Sequence, residues 1–357
     1  MDFYKTNLDF FLGSVGQNGF HGYFPELDAQ PDIQMYLLKG CPGGGKSSLM
    51  RRVAQASKTP YERIHCSSDP DSLDGVILQQ PYAAVIDATA PHALDPAYPG
   101  VCQQTVDLYH TMNTAQLRRQ RLQIIAAFRR HKGLQERAAR YIQTASGLLI
   151  DSRRTVLPLL DLQKIQVYSN RLALRYLPRT QKESHEDIRL LSAVTPQGHI
   201  VFRNTIDALA PTKIVFHDPF GAAAPILLQA LRQHALDRGY HIITCPCSLR
   251  ADTIDHLFVP ELGLAFLTSN PWHPMEFDEQ KNIHFTRFLA NDALKDRKKR
   301  LRFNQRAAAE LLAQASEVQR EAKSVHDELE AYYKGSIDFD QVTETGNQLL
   351  HSIFDCE

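Results

Sequence analysis

Met35-Tyr36-Leu37-Leu38-Lys39-Gly40-Cys41-Pro42-Gly43-Gly44-Gly45-Lys46-Ser47-Ser48-Leu49-Met50 is the stretch on which the fold turns. The apolar run Met35 to Leu38 predicts a buried strand, and Ser48-Leu49-Met50-Arg51-Arg52-Val53-Ala54 predicts the opening of a helix. Between them, Gly40 to Ser47 satisfies G-x-x-x-x-G-K-[ST] at every fixed position. Glycines there let successive backbone N–H groups turn inward around a phosphate, which then sits at the helix N-terminus. Gly40, Cys41, Pro42, Gly43, Gly44, Gly45, Lys46, Ser47 and Ser48 are therefore the expected phosphate-binding residues. In such a loop the Lys46 ammonium bridges the β- and γ-phosphates and the Ser47 hydroxyl takes Mg²⁺.

A second acid is needed to hold that magnesium. Ala83-Ala84-Val85-Ile86-Asp87 supplies it, as an apolar parallel strand ending in a carboxylate at the sheet's crevice. Thr89 and His92 follow just past the strand tip, placed either to meet the γ-phosphate or substrate or to stabilise the turn. Upstream, Tyr61 to His65 reads as a strand followed by a polar loop carrying Asp69, Asp71 and Asp74. One of these acids is a candidate to orient the attacking oxygen. Asp-Pro and Asp-Ser equally suit turns and helix caps.

The chain also contains a weak copy of itself. Shifted by 181, residues 66–92 align without gaps to 247–273, with identities Cys66/Cys247, Ser67/Ser248, Asp71/Asp252, Asp74/Asp255, Ala84/Ala265 and His92/His273. A shift of 177 lays Lys213-Ile214-Val215-Phe216 on the loop strand and Pro219 on Pro42. A shift of 179 pairs Phe11-Leu12-Gly13-Ser14-Val15 with Leu190-Leu191-Ser192-Ala193-Val194, and Gly19 with Gly198. Ordered offsets of this kind describe a duplicated unit. The second copy has lost the phosphate chemistry: His217, Ala222, Ala223 and Ala224 stand at the places of Gly40, Gly45, Lys46 and Ser47, and Thr268 at that of Asp87.

Composition limits the alternatives. The 357 residues suggest about two domains, and 43% hydrophobic against 22% charged residues is an ordinary globular balance. Lys plus Arg equals Asp plus Glu at 40 each, but residues 115–155 alone carry ten basic side chains against two acidic ones. That stretch and Arg297-Lys298-Lys299-Arg300-Leu301-Arg302 read as solvated helix faces in preference to a nucleic-acid surface. Helical segments are expected over 115–155 and 292–335, because Leu117, Ile124, Phe128, Ala139 and Ile142 keep helical spacing and 292–333 lacks Pro and Gly. The six cysteines form no disulfide framework, and Cys245-Pro246-Cys247 lacks a second pair or His cluster in sequence to complete a zinc set. No apolar run reaches a membrane-spanning length, and no secretory signal opens the chain, so a cytoplasmic protein is expected.

The sequence resembles a family of uncharacterised bacterial tandem P-loop ATPases, loosely called nucleotide kinases. The resemblance is carried by residues 40–47, by His65-Cys66-Ser67-Ser68-Asp69-Pro70-Asp71-Ser72-Leu73-Asp74-Gly75-Val76-Ile77, by Asp87-Ala88-Thr89-Ala90-Pro91-His92, and by Tyr98-Pro99-Gly100. Val325-His326-Asp327-Glu328-Leu329-Glu330-Ala331-Tyr332-Tyr333 and Ile337-Asp338-Phe339 carry it in the second half. The resemblance implies an intact loop in both halves, from which this chain departs at 217–224 and 268. The resemblance implies ATP binding with hydrolysis or phosphoryl transfer, and names no acceptor.

The expectation is therefore an α/β protein of two tandem P-loop NTPase-type three-layer α/β/α domains, 1–185 with an intact site and 186–357 degenerate, each followed by a long helical segment. Its expected ligands are ATP and Mg²⁺, its activity that of an ATPase or small-molecule kinase. The alternative is a non-catalytic ATP-gated module that binds protein or nucleic acid. A guanine-selective Asn-Lys-x-Asp signature is missing from the sequence, and Ala88 replaces the glutamate that remodelling ATPases place beside the second acid.

Overall fold

The computed structural model describes residues 4–28, 30, 32–289 and 294–355. Its first half runs β1 (Leu8–Phe11), β2 (Gly13–Gly16), β3 (Gly19–Gly22), α1 (Pro25–Asp28), β4 (Gln34–Lys39), α2 (Lys46–Ala56), β5 (Tyr61–Cys66), β6 (Asp69–Leu78), β7 (Ala83–Asp87) and β8 (Gln103–Asp107). Helices α3 (Thr114–Arg119), α4 (Arg121–Val156) and α5 (Leu162–Tyr176) follow. The second half runs β9 (His185–Ile188), β10 (Ser192–Thr195), β11 (Gly198–Val201), α6 (Arg203–Leu209), β12 (Thr212–His217), α7 (Ala224–Leu236), β13 (His241–Cys247), β14 (Arg250–Val259), β15 (Leu264–Ser269) and β16 (Lys281–His284). It closes with α8 (Lys298–Lys334) and α9 (Phe339–Phe354). Residues 292 and 293 of the expected helical segment lie outside the described residues.

The two sheets match strand for strand. One is ordered β1-β5-β6-β7-β4-β8 and the other β9-β13-β14-β15-β12-β16. In each, only the third strand runs antiparallel to its neighbours. Register shifts fall at Ile64/His65/Cys66 and at Cys245/Pro246/Cys247, positions related by the same shift of 181 as in the sequence. The expected polar loop after His65 is instead a two-residue turn at 67–68 and the start of the ten-residue strand β6, which takes in Asp69, Asp71 and Asp74. Its polar residues are tolerated because the bulges at its tight turn lift them out of the regular ladder.

Each sheet carries its long helices on one face. Leu49, Met50 and Val53 of α2 cover Tyr36, Leu38 and Val85 in one cluster, and Leu227, Leu228 and Leu231 of α7 cover Ile214, Phe216 and Leu257 in another. The opposite faces meet in a common core, where Leu37 and Ile86 share a cluster with Val215, Ile243 and Leu267. The short α1 and α6 contribute Leu27, Ile206 and Leu209 to it. The halves are thus not separate three-layer units, since burying these apolar faces against each other removes them from water.

The helices also change sides. Helices α4 and α8 pair antiparallel, as Arg130–Glu328, Arg137–Glu321 and Asp151–Arg300 show. Buried Ala138, Ala145, Ala308, Ala315 and Ala322 leave room for close approach. At 36 residues, α4 extends about 54 Å and carries the chain to the second sheet, where Ile165, Leu172 and Ala173 of α5 pack beside Leu227 and Leu228. Helix α8 returns, and Val342, Leu349 and Ile353 of α9 pack on α2 beside Leu49, Met50 and Val53. Phe128, expected on the apolar face of α4, is exposed, and Ala127 and Ala138 take the buried places. No helix among the described residues is long and apolar enough to cross a membrane.

Candidate functional site

Strand β4 delivers the chain to residues 40–45, and α2 begins at Lys46. Gly43 and Gly45 have φ of +67° and +86°, a left-handed backbone that side-chain-bearing residues adopt only with strain. Lys46 Nζ donates to the carbonyls of Gly40 and Cys41 at 3.1 and 3.0 Å and lies 3.6 Å from Asp87 Oδ2. Strand β7 pairs parallel with β4, Leu38 opposite Asp87, so the second acid stands at the end of the adjacent strand. Asp87 Oδ1 accepts both the N–H and the hydroxyl of Thr89, at 2.9 and 2.5 Å. Thr89 thereby fixes the carboxylate that faces Lys46.

Ser47 Oγ accepts the Leu73 N–H at 3.0 Å, which ties the loop to β6. The three acids of β6 go to different places. Asp69 accepts the Ser72 hydroxyl at 2.8 Å and pairs with Lys323 of α8 at 3.3 Å. Asp71 is exposed, accepts Gln197 Nε2 at 3.4 Å, and gives its carbonyl to Arg51. Asp74 is buried with His92, their Oδ2 and Nε2 3.0 Å apart. Burial works to lower the His92 pKa, and the Asp74 carboxylate, helped by Asp87, overrides it and holds that pKa above its ordinary value. Lys46, Asp87 and Thr89 form one contact set, and Asp74 with His92 another.

Residues of the second half lie against the loop. A Cβ on Gly43 would stand 3.2 Å from Glu330 Cβ, and one on Gly45 3.0 Å from Val342 Cγ1. Glu330 is held down to about 2 by His326 and, against some burial, by Lys334. This cover was not readable locally, because it depends on the crossing of α8 and α9. The basic residues of 115–155 are largely solvent-facing, with Arg130 and Arg137 engaged by glutamates of α8.

The corresponding loop of the second half is filled from within. Asp218, which stands at the place of Cys41, is buried and accepts the N–H groups of Phe220, Ala223 and Ala224 at 3.2, 2.7 and 2.9 Å. Burial raises its pKa, against these hydrogen bonds. His217 bonds Asn282 at 2.6 Å, and Thr268 Oγ1 is buried without a hydrogen bond. Cys245 and Cys247 are buried free thiols, as expected. In space, however, Asp255 lies in a group with His256 and His273, and with burial it pushes the Cys247 thiol up; the separation of these residues along the chain hid that grouping. Comparison with known protein families, curated proteins and solved structures finds no match to this chain.

Proposed function

We propose that the chain is a Mg²⁺-dependent ATP-binding protein, an ATPase or small-molecule kinase, that works through a single P-loop site in its first half. The observation that carries this reading is Lys46 at the helix start, folded over the Gly40 and Cys41 carbonyls and 3.6 Å from Asp87 on the adjacent parallel strand. Lys46 exchanges those carbonyls for phosphate oxygens, and the loop N–H groups at the start of α2 bind the same anion. A hydroxyl and a carboxylate, Ser47 and Asp87, make the hard oxygen set that suits magnesium. When bound, the ion neutralises charge on the phosphates. Thr89 holds Asp87 in place for that role.

The second half acts as a partner without an exchangeable phosphate site of its own. Asp218 supplies a built-in carboxylate to the loop N–H groups, and Ala223 and Ala224 carry no functional group where Lys46 and Ser47 stand. Glu330 and Val342 over Gly43 and Gly45 favour a second reading, in which ATP entry shifts α8 and α9 and so gates a partner.

The test is ATP binding and turnover by purified full-length protein with Mg²⁺, beside Lys46→Ala checked for fold by circular dichroism. Turnover that falls at least about 100-fold supports the catalytic reading. Turnover equal in both proteins overturns it. ATP binding that changes protease sensitivity at the α8–α9 connection, with no turnover, supports the gated reading.

A further inference from the structure

Two of the six identities between the copies, Asp74/Asp255 and His92/His273, lie in a side-chain cluster in each half, joined in the first by Cys66, whereas the phosphate-loop residues beside them have diverged. In the first half, Cys66 Sγ, an Asp74 oxygen and a His92 ring nitrogen all lie within 4.8 Å of one another. Cys66 ends β5, Asp74 lies in β6 and His92 follows β7, so the group joins three successive strands of the fold. His92 Nε2 pairs with Asp74 Oδ2 at 3.0 Å, and His92 Nδ1 is buried with no hydrogen bond.

The second half repeats the Asp and His of this group. Asp255, His256 and His273 are all buried with ligand atoms within 4.8 Å of one another, and His256 stands in this group where the first has a cysteine. His273 Nε2 lies 3.4 Å from Asp255 Oδ2. His273 Nδ1 is again buried without a hydrogen bond, together with His256 Nε2. A buried unpaired polar atom costs about 1–3 kcal/mol. The same cost at the same register in both halves points to an occupant. In a third cluster, His185, Asp187 and His241, the carboxylate is bonded by Gln30 and His241 and paired with the buried Arg189.

We propose that the chain binds a zinc-class divalent ion at Cys66, Asp74 and His92, and a second at Asp255, His256 and His273. Sulfur and nitrogen donors select zinc over magnesium or calcium, which take oxygen sets. Three protein ligands in each group leave a fourth position open. Binding at the first group forms a metal–sulfur bond as the Cys66 thiol releases its proton to solvent, with no change of oxidation state. Half-buried Cys66 gives the ion a way in. The ion pins β5, β6 and the segment after β7 beside the phosphate loop, since Leu73, next to Asp74, holds Ser47.

The test is the metal content of full-length protein purified without chelator, followed by stripping and titration with Co²⁺. About two equivalents of zinc are expected, with a near-ultraviolet thiolate-to-cobalt band from the first group. Cys66→Ser should remove that band, and His273→Ala should remove one equivalent while sparing the band. Lys46→Ala should keep both equivalents, which separates this proposal from the nucleotide reading. Stripped wild-type protein that stays folded and takes up neither Zn²⁺ nor Co²⁺ would overturn it, as would a band unchanged in Cys66→Ser. The wild-type titration depends on no variant folding.

Discussion

The Asp218 carboxylate accepts the backbone N–H of Ala223 at 2.7 Å, inside its own loop. In the first half the aligned residue is Cys41, which supplies no carboxylate to its loop. A single side chain thus closes one loop of the pair. Loss of the lysine alone would have left a weak anion nest; Asp218 satisfies it from within the chain.

Replacing Asp218 with Ala should destabilise the protein by about 2–3 kcal/mol, because buried N–H groups lose a charged acceptor. Urea denaturation monitored by circular dichroism measures this. The variant should gain no ATP affinity, since Ala223 still stands where a lysine is needed. A loss of stability below about 0.5 kcal/mol would contradict the assigned role.

The halves are locked by Arg189, whose Nε donates to Glu62 Oε2 at 2.6 Å with both residues buried. Glu62→Ala leaves a buried guanidinium short of an acceptor and should cost about 3–5 kcal/mol. Replacing both residues with apolar ones of similar volume should recover most of that loss. Equal losses in the single and double variants would argue against an uncompensated charge as the cause.

Acid should weaken the protein partly through Asp187. Burial works to raise its pKa, but Arg189, His185 and His241 outweigh it and hold the carboxyl well below its ordinary 3.8. A carboxyl depressed in the folded state adds stability that is complete above the unfolded value and lost as pH falls toward the folded one. Denaturation curves should therefore show stability dropping below about pH 4, with a shallower drop in Asp187→Asn. Parallel acid limbs in the two proteins would refute the assignment.

Gly45→Ala should cost about 1–2 kcal/mol from its left-handed backbone. It should also loosen α9, because the added methyl meets Val342 Cγ1 at 3.0 Å. Hydrogen exchange would then rise in 339–354, a region far away in sequence. Faster exchange confined to 40–56 would mean that α9 does not rest on the loop.

Much of the site was legible where neighbours in sequence are neighbours in space. Strand, glycine loop, Lys46 and helix succeed one another within 34–56, and Asp87 ends an apolar run. The acids at 69–74 were less so, because a polar composition disguised β6, whose bulges and partner Lys323 come from other parts of the chain. Asp74 and His92 were visible as separate candidates near the loop, and Cys66 only as an identity between copies. Their meeting in space required β5, β6 and β7 to be placed side by side.

By itself, the sequence determined the α/β alternation, the glycine-rich loop at 40–47, the repeat and the different residues at 217–224, since these rest on local periodicity, glycine geometry and residue identity. Tertiary structure alone decided the common core, the exchange of α5 and α9 between the sheets, the Asp218 plug and the two buried ligand groups. These depend on which apolar faces find each other. A helix patterned to bury one face does not record whose sheet it covers, and here the length of the α4–α8 hairpin makes that choice.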